Sequence, residues 1–395
     1  MRGQKIFIIF SVLIANVLVC KALAQVIPPE NFKIAFIGNQ GHGGNCEAVL
    51  DLISSEHADA VVHSGGFDGT GNPETWDQLI SEKLGSCFPY FAVVGDEEWN
   101  SFYGGSGYQE KLMDRMNCLG IPWQGDLGVK SSHMYQGIFF VFTSPDIFGD
   151  GEKEYAPFIR DQLEQDQSIW RISSWHLLMR KMQIGSQFDQ TGWGVYEESR
   201  QGGAIIATAQ ANSYGRTHPL SNLVTQEIAS QEDMFEISRD DLTTNEDEGV
   251  TFVFHNGLGG DSISSQNRCL PTAPPFGCQG EWASIYSEDQ NANYGALFGQ
   301  FHYEGDPCLA RFYFKDIDGN IVDEFFVEST LDFCEEVFPC PGDVNGDQEV
   351  NQVDLELLLE AWGQCQGQCE ADVDENGVVS VVDLLMLLAN WGSCS

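Results

Sequence analysis

Basic residues are scarce in this chain: 19 Lys and Arg stand against 59 Asp and Glu over 395 residues, a formal charge of −40. A polyanion needs a basic field to steer and hold it, so nucleic acid is excluded as a partner. Long apolar runs are equally rare. One spans Ile6 to Val19, preceded by Arg2 and Lys5 and followed by the small-residue pattern Ala22-Leu23-Ala24. It is shorter than the ~20 residues a membrane span needs, and its flanks are those of an export signal. Residues 1–24 are therefore expected to be removed, leaving an exported protein that is secreted, periplasmic or held at the cell surface. No later segment is apolar enough to cross a bilayer. With 42% hydrophobic and 12% aromatic residues the chain has material for a full core, which excludes global disorder.

Export sets how the cysteines read. Cys46, Cys87, Cys118, Cys269, Cys278, Cys308, Cys334, Cys340, Cys365, Cys369 and Cys394 follow the signal. In an oxidising compartment most should pair, and their odd number leaves at least one free or bonded between molecules. Their spacing matches no zinc finger, and the connectivity stays open.

The C-terminus carries an internal repeat. CPGDVNGDQEVNQVDLELLLEAWGQC (340–365) aligns without gaps on CEADVDENGVVSVVDLLMLLANWGSC (369–394), with 12 of 26 positions identical. Each copy is an oxygen-rich loop followed by an apolar stretch that suits a short helix, with Gly363 and Gly392 placed to stop it. Calcium takes six to eight hard oxygen ligands, at loop positions 1, 3, 5, 7, 9 and 12. The first copy offers Asp343, Asn345, Asp347, the Glu349 carbonyl, Asn351 and Asp354. The second offers Asp372, Asp374, Asn376, the Val378 carbonyl, Ser380 and Asp383. This doublet resembles a type I-like dockerin, a small all-α module with paired calcium F-hand loops, over residues 341–395. The resemblance implies two calcium ions and docking onto a cohesin-type domain of a scaffold or cell-surface protein. Gln348 stands where the turn of the first loop favours glycine, which predicts weaker calcium binding there than in the second loop, where Gly377 fills that position.

Residues 331–340 form an acidic connector without Lys or Arg. Before it, helix-like and strand-like stretches alternate. Phe32–Ile37, Ala60–His63, Phe91–Val94, Gly137–Phe142, Ile172–Trp175 and Ala204–Ala207 read as strands, Ala48–Ser54 and Trp76–Leu84 as helices. From Gly249 onwards the character is β. The pattern predicts an α/β layered fold with ligand-facing loops at the strand ends. Residues 221–249 read as a solvated polar loop.

The words IAFIGNQG (34–41), VVHSGGFDG (61–69), FAVVGDEEW (91–99), SWHLLMRKMQIG (174–185) and GAIIATAQANSYGRTHPL (203–220) carry a resemblance to the calcineurin-like metallophosphoesterases, in the purple acid phosphatase-like branch, over residues 25–330. That resemblance implies a four-layer α/β sandwich with two mixed sheets and a two-metal hydrolytic centre at the strand ends. Such a centre needs a bridging carboxylate, flanking imidazoles and carboxylates, and an activated water. Carried over one by one, the metal positions are Asn39, Gly66, Asp96, His176, Gln210 and Asn212, and only His176 keeps the family residue. Glu97 stands where the family has its proton-donating histidine. The resemblance thus implies a retained fold whose ordinary two-metal activity is lost.

Other readings of the same residues stay open. Asn39, Asp68, Asp96, Glu97, Gln210 and Asn212 could together hold one hard divalent cation. Asp96 and Glu97 could act as acid and base, with His176 in a catalytic or a structural role. On function, a non-catalytic module attached through its dockerin stands beside an active secreted phosphoesterase with a remodelled metal site.

Overall fold

The computed structural model describes residues 26–240, 248–330, 341–345, 349–364, 369–374 and 376–393. The expected signal, the acidic connector, Asp347 and Gln348 lie outside the described residues.

Two mixed sheets organise the larger part. The first collects β1 (Phe32–Ile37), β2 (Ala60–His63) and β3 (Tyr90–Ala92), with helices α1 (Gly44–Ser55) and α2 (Pro73–Lys83) as crossovers. After α3 (Tyr108–Leu119), the second sheet begins with β4 (Trp123–Asp126), β5 (Lys130–Tyr135) and β6 (Ile138–Thr143). It continues through α4 (Ala156–Gln165), β7 (Trp170–Ser174), α5 (Trp193–Gln201), β8 (Ile205–Thr208) and β9 (Tyr214–Thr217). A small ladder of β10 (Leu220–Asn222) and β11 (Glu227–Ile228) precedes β12 (Met234–Ile237), β13 (Val253–Asn256) and β14 (Trp282–Tyr286). The long strands β15 (Gly295–Tyr303), β16 (Asp306–Asp316) and β17 (Ile321–Ser329) follow. Strand order is β12-β17-β16-β15-β1-β2-β3 in the first sheet and β14-β9-β13-β8-β7-β6-β5-β4 in the second. β1, β2 and β3 run parallel, as do β6, β7, β8 and β13.

The central strands are nearly all apolar because both of their faces are covered. Between the sheets, Phe36 meets Phe254 at 5.2 Å and Trp170 meets Phe301 at 5.2 Å, both edge to face. On the outer faces, α1 buries Val49, Leu50 and Ile53, while α4 and α5 bring Ile159, Leu163 and Val195 against Val141 and Ile206. Both α1 and α2 start earlier than the spacing predicts, at Gly44 and Pro73 instead of Ala48 and Trp76: Pro73 opens α2 and the Asn72 side chain accepts from Thr75 N. The architecture is the mixed α/β sandwich that the motifs imply.

One expectation needs correction. The polar stretch 221–249 contains β12, which pairs in parallel with β17 at the edge of the first sheet. Its Phe235 and Ile237 are buried while Met234 and Glu236 are exposed, an alternation too short to stand out in an acidic segment.

Cys87–Cys118 and Cys269–Cys278 are disulfides, and Cys308 and Cys369 are also bonded. Cys46 is free and buried. Among the described residues no helix is long and apolar enough to cross a membrane.

In the C-terminal repeat, helices Gln352–Glu360 and Val381–Ala389 each open on a capping box, Asn351 with Asp354 and Ser380 with Asp383. Val350, Leu358, Ala371, Val379 and Leu387 form its core. To the helices the structure adds two short antiparallel ladders, Glu349–Val350 with Gly392–Ser393 and Gly363–Gln364 with Val378–Val379. They tie each half of the repeat to the other.

Candidate functional site

The strand-end words converge on one mouth, because parallel strands release their loops on the same side. After β1 the chain turns through Asn39, whose φ is +48°. Its backbone N–H donates to Gly65 O at 3.0 Å. Its Nδ2 donates to Ala209 O at 3.2 Å, to Gln210 O at 3.1 Å and to Asn212 Oδ1. One amide thus ties the end of β1 to the loop after β8. Asn212 passes the chain on, from Nδ2 to Ser262 Oγ at 2.7 Å, and Ser262 Oγ donates to Asp261 Oδ2 at 3.0 Å.

Gly66 is the residue that the resemblance sets at the bridging position. Its φ is +74°, and a Cβ there would lie 2.4 Å from Asn39 Oδ1, so no side chain fits. From the third motif, Glu98 turns inward. Its carboxylate is 1% exposed and accepts from Gly95 N at 2.9 Å, Gly66 N at 3.2 Å and Phe67 N at 2.7 Å. Burial pushes the Glu98 carboxyl above its usual range, although the His176 charge and these three N–H groups pull the other way.

His176 is buried, with Nδ1 on Ser64 O at 2.8 Å and Nε2 on Asp96 Oδ1 at 3.2 Å. Burial disfavours its charged form. The hydrogen bond and charge of Asp96, the charge of Glu98 and the Ser64 carbonyl outweigh that, so its pKa is raised. The His176 hydrogen bond in turn holds the Asp96 carboxyl below its usual range against desolvation. The Ser64 carbonyl suits a protonated Nδ1, and Nε2 faces the Asp96 carboxylate.

The remaining candidates scatter. Gln210 Oε1 accepts from Leu178 N at 3.1 Å and its Nε2 donates to Gln190 Oε1 at 2.7 Å, so it braces the loop after β7. Asp68 is saturated by Tyr108 OH, Thr70 N, Thr70 Oγ1, Gly71 N and Asn72 N. Glu97 is exposed. Gln210 and Asp68 thus brace their own loops, and Asp96 is paired with His176. Sequence reading passed over Glu98 and His63. Glu98 was legible only as the last acid of GDEE. His63 is buried and shares its Nδ1 with Tyr90 OH at 2.8 Å; burial drives its pKa to about 3.

Among the described residues, two groups of three His, Cys, Asp or Glu bring ligand atoms within 4.8 Å of one another. Cys269, Cys278 and Glu281 include a disulfide. Asp372, Asp374 and Asp383 lie in the second calcium-type loop. There Asp372 accepts from Asn376 N and Gly377 N, and Asp383, whose carboxyl is held low by Ser380 N and Asp374 N against desolvation, anchors the helix start. In the first loop Asp354 does the same for Val344 N, Asn345 N and Asn351 N. In the second loop the three carboxylates stand close enough to share one hard cation. The family's two-metal centre does not fit the residues at the strand ends.

Comparison with known proteins follows the same division. The large part has the fold of the dimetal phosphoesterases. A purple acid phosphatase from yellow lupin seeds matches with a TM-score of 0.54 and 17% identity, over 77% of this chain and 55% of that one. The chain thus spans about half the length of that phosphatase. GAP50, the anchor in the inner membrane complex of Plasmodium, matches at 0.45 with 11% identity, over 75% and 88%. PhoD matches at 0.43 with 10% identity, over 79% and 77%. No curated protein sequence matches the chain. Residues 341–390 match the dockerin type I domain.

Proposed function

We propose that this is an exported, non-catalytic protein of phosphoesterase fold, anchored through its dockerin to a cohesin-type domain. In this reading residues 1–24 are the export signal, 25–330 the folded domain, 331–340 a linker and 341–395 the docking module. The observation that carries the loss of activity is the Asn39 amide at Gly66. Its oxygen lies where a bridging carboxylate would begin, and its nitrogen is spent on the loop of Asn212. In the docking module, Asp372, Asp374, Asn376, the Val378 carbonyl, Ser380 and Asp383 would hold one calcium ion. Asp343, Asn345, Asp347, the Glu349 carbonyl, Asn351 and Asp354 would hold the other. Calcium supplies the positive charge that lets these loops close. Val381 and Leu385, 58% and 61% exposed, provide an apolar face for the partner. The disulfides fit an oxidising compartment.

The test is turnover of phosphomonoester and phosphodiester probes by the purified full chain with Mn, Zn, Fe, Mg and Ca. No turnover above buffer is expected. Turnover that disappears in His176→Ala would overturn the proposal and favour an active, remodelled phosphoesterase.

A further inference from the structure

Among the described residues of the large domain, three aromatic side chains are markedly exposed: Phe188 at 75%, Trp99 at 53% and Tyr103 at 45%. All three sit on two loops, 95–107 after β3 and 175–192 after β7. The bases of these loops are joined by the Asp96–His176 pair, and Gln190 of the second loop bonds Gln210 at the mouth. Trp99 follows Asp96 by three residues, and Phe188 precedes Gln190 by two. Aromatic surface is costly to leave in water, and its concentration on two loops joined at their bases points to a contact site.

The character of the loops narrows the ligand. They carry Asp96, Glu97, Glu98 and Asp189 against Arg180, Lys181 and His176, so they are nearly balanced in a domain that is otherwise strongly acidic. Glu98 is buried on backbone N–H groups and Asp96 is paired with His176, which leaves Glu97 and Asp189 balanced by Arg180 and Lys181. Asn100, Ser101, Ser106, Ser186, Gln187 and Gln190 supply hydroxyls and amides on the same two loops. Tyr103 is held in place by its hydroxyl on Asp126 at 2.6 Å and by Phe148 at 5.3 Å between ring centres. Exposed flat rings on loops rich in neutral hydrogen-bonding groups suit a ligand with C–H faces and a hydroxyl rim.

We propose that this mouth binds a neutral saccharide chain, with Trp99 and Phe188 as stacking platforms and the amides of the two loops as hydroxyl partners. It rests on the reading that the strand ends no longer hold two metals, since a dinuclear cationic centre would select anions instead.

The experiment is native gel electrophoresis of the full chain through hydroxyethylcellulose, xylan or galactomannan, with polygalacturonate as the anionic arm. At least one neutral polymer should retard the protein, and Trp99→Ala or Phe188→Ala should weaken that binding at least ~10-fold with thermal unfolding unchanged. Polygalacturonate should leave mobility unaltered. Retardation by no neutral polymer, equal retardation of the double variant, or equal retardation by polygalacturonate overturns the proposal. Metal content measured on the same sample separates the two readings. A metal-free protein that is not retarded refutes the saccharide site alone. Stoichiometric Fe, Zn or Mn refutes the reading beneath it.

Discussion

Restoring the missing bridge by Gly66→Asp should damage the domain instead of reviving a metal site. A side chain at φ +74° costs roughly 1–2 kcal/mol. Its Cβ would overlap Asn39 Oδ1, at 2.4 Å, so Asn39 must leave its three acceptors on the loop after β8. At about 1 kcal/mol for each net hydrogen bond, that adds roughly 3 kcal/mol. The new carboxylate would also sit beside the buried Glu98, a like charge. The sum is about 5 kcal/mol, or on the order of a 10 °C fall in the unfolding temperature of a domain this size. Differential scanning calorimetry of wild type and variant, each with and without Mn, Zn or Fe, reads the effect. Adding Asn39→Ala should recover part of the loss by removing the overlap. A variant as stable as wild type, or one raised above it by a transition metal, would refute the reasoning, because it would show the family geometry still latent.

Three further outcomes follow from the same contacts. An NMR titration of His176 should give a midpoint above the ordinary 6.5. Its contribution to stability should be present below 6.5 and fade as pH rises through that midpoint, while the contribution of Asp96 fades as pH falls through its lowered value. A His176 midpoint below 6.5 would contradict the pairing. His133 on β5 is buried against Phe91 and Phe140 with both ring nitrogens unpartnered, and burial drives its pKa to about 3. It must stay neutral to stay folded, so stability should fall as pH drops from 6.5 towards 3; His133→Phe should remove that component and add about 1–3 kcal/mol at pH 5. An unchanged pH dependence in chemical unfolding would count against it. Chelation should unfold the docking module, seen as a loss of helical circular dichroism that Asp383→Ala reproduces; a spectrum unaltered by chelator would argue otherwise.

Most of the layered architecture was legible because buried parallel strands are short apolar words ending in glycine, as at β1, β2 and β7. β12 was not, since four residues alternating in an acidic stretch look like loop until β17 is beside them. At the mouth, the resemblance could set Gly66 and Gln210 only by position. What fills the space there could not be read: Asn39 meets the 209–212 loop across about 170 residues of chain, and no local pattern announces that amide. Asp68 looked like a ligand and proves to be a loop anchor, because its partners Thr70, Gly71 and Asn72 follow it so closely. The exposed aromatics were equally silent, as burial is decided by the fold.

Charge divides along the same boundary. Residues 331–395 carry 14 acids and no base, whereas 25–330 carry 45 acids and 16 bases. The densest negative charge thus belongs to the segment that holds the calcium-type loops.

Elemental analysis of the full chain, purified with calcium and then dialysed against metal-free buffer containing micromolar calcium, tests the central claim most directly. The account predicts calcium approaching two per chain, the first loop emptying before the second, and only trace Fe, Zn or Mn. One or two transition-metal ions retained per chain would contradict it.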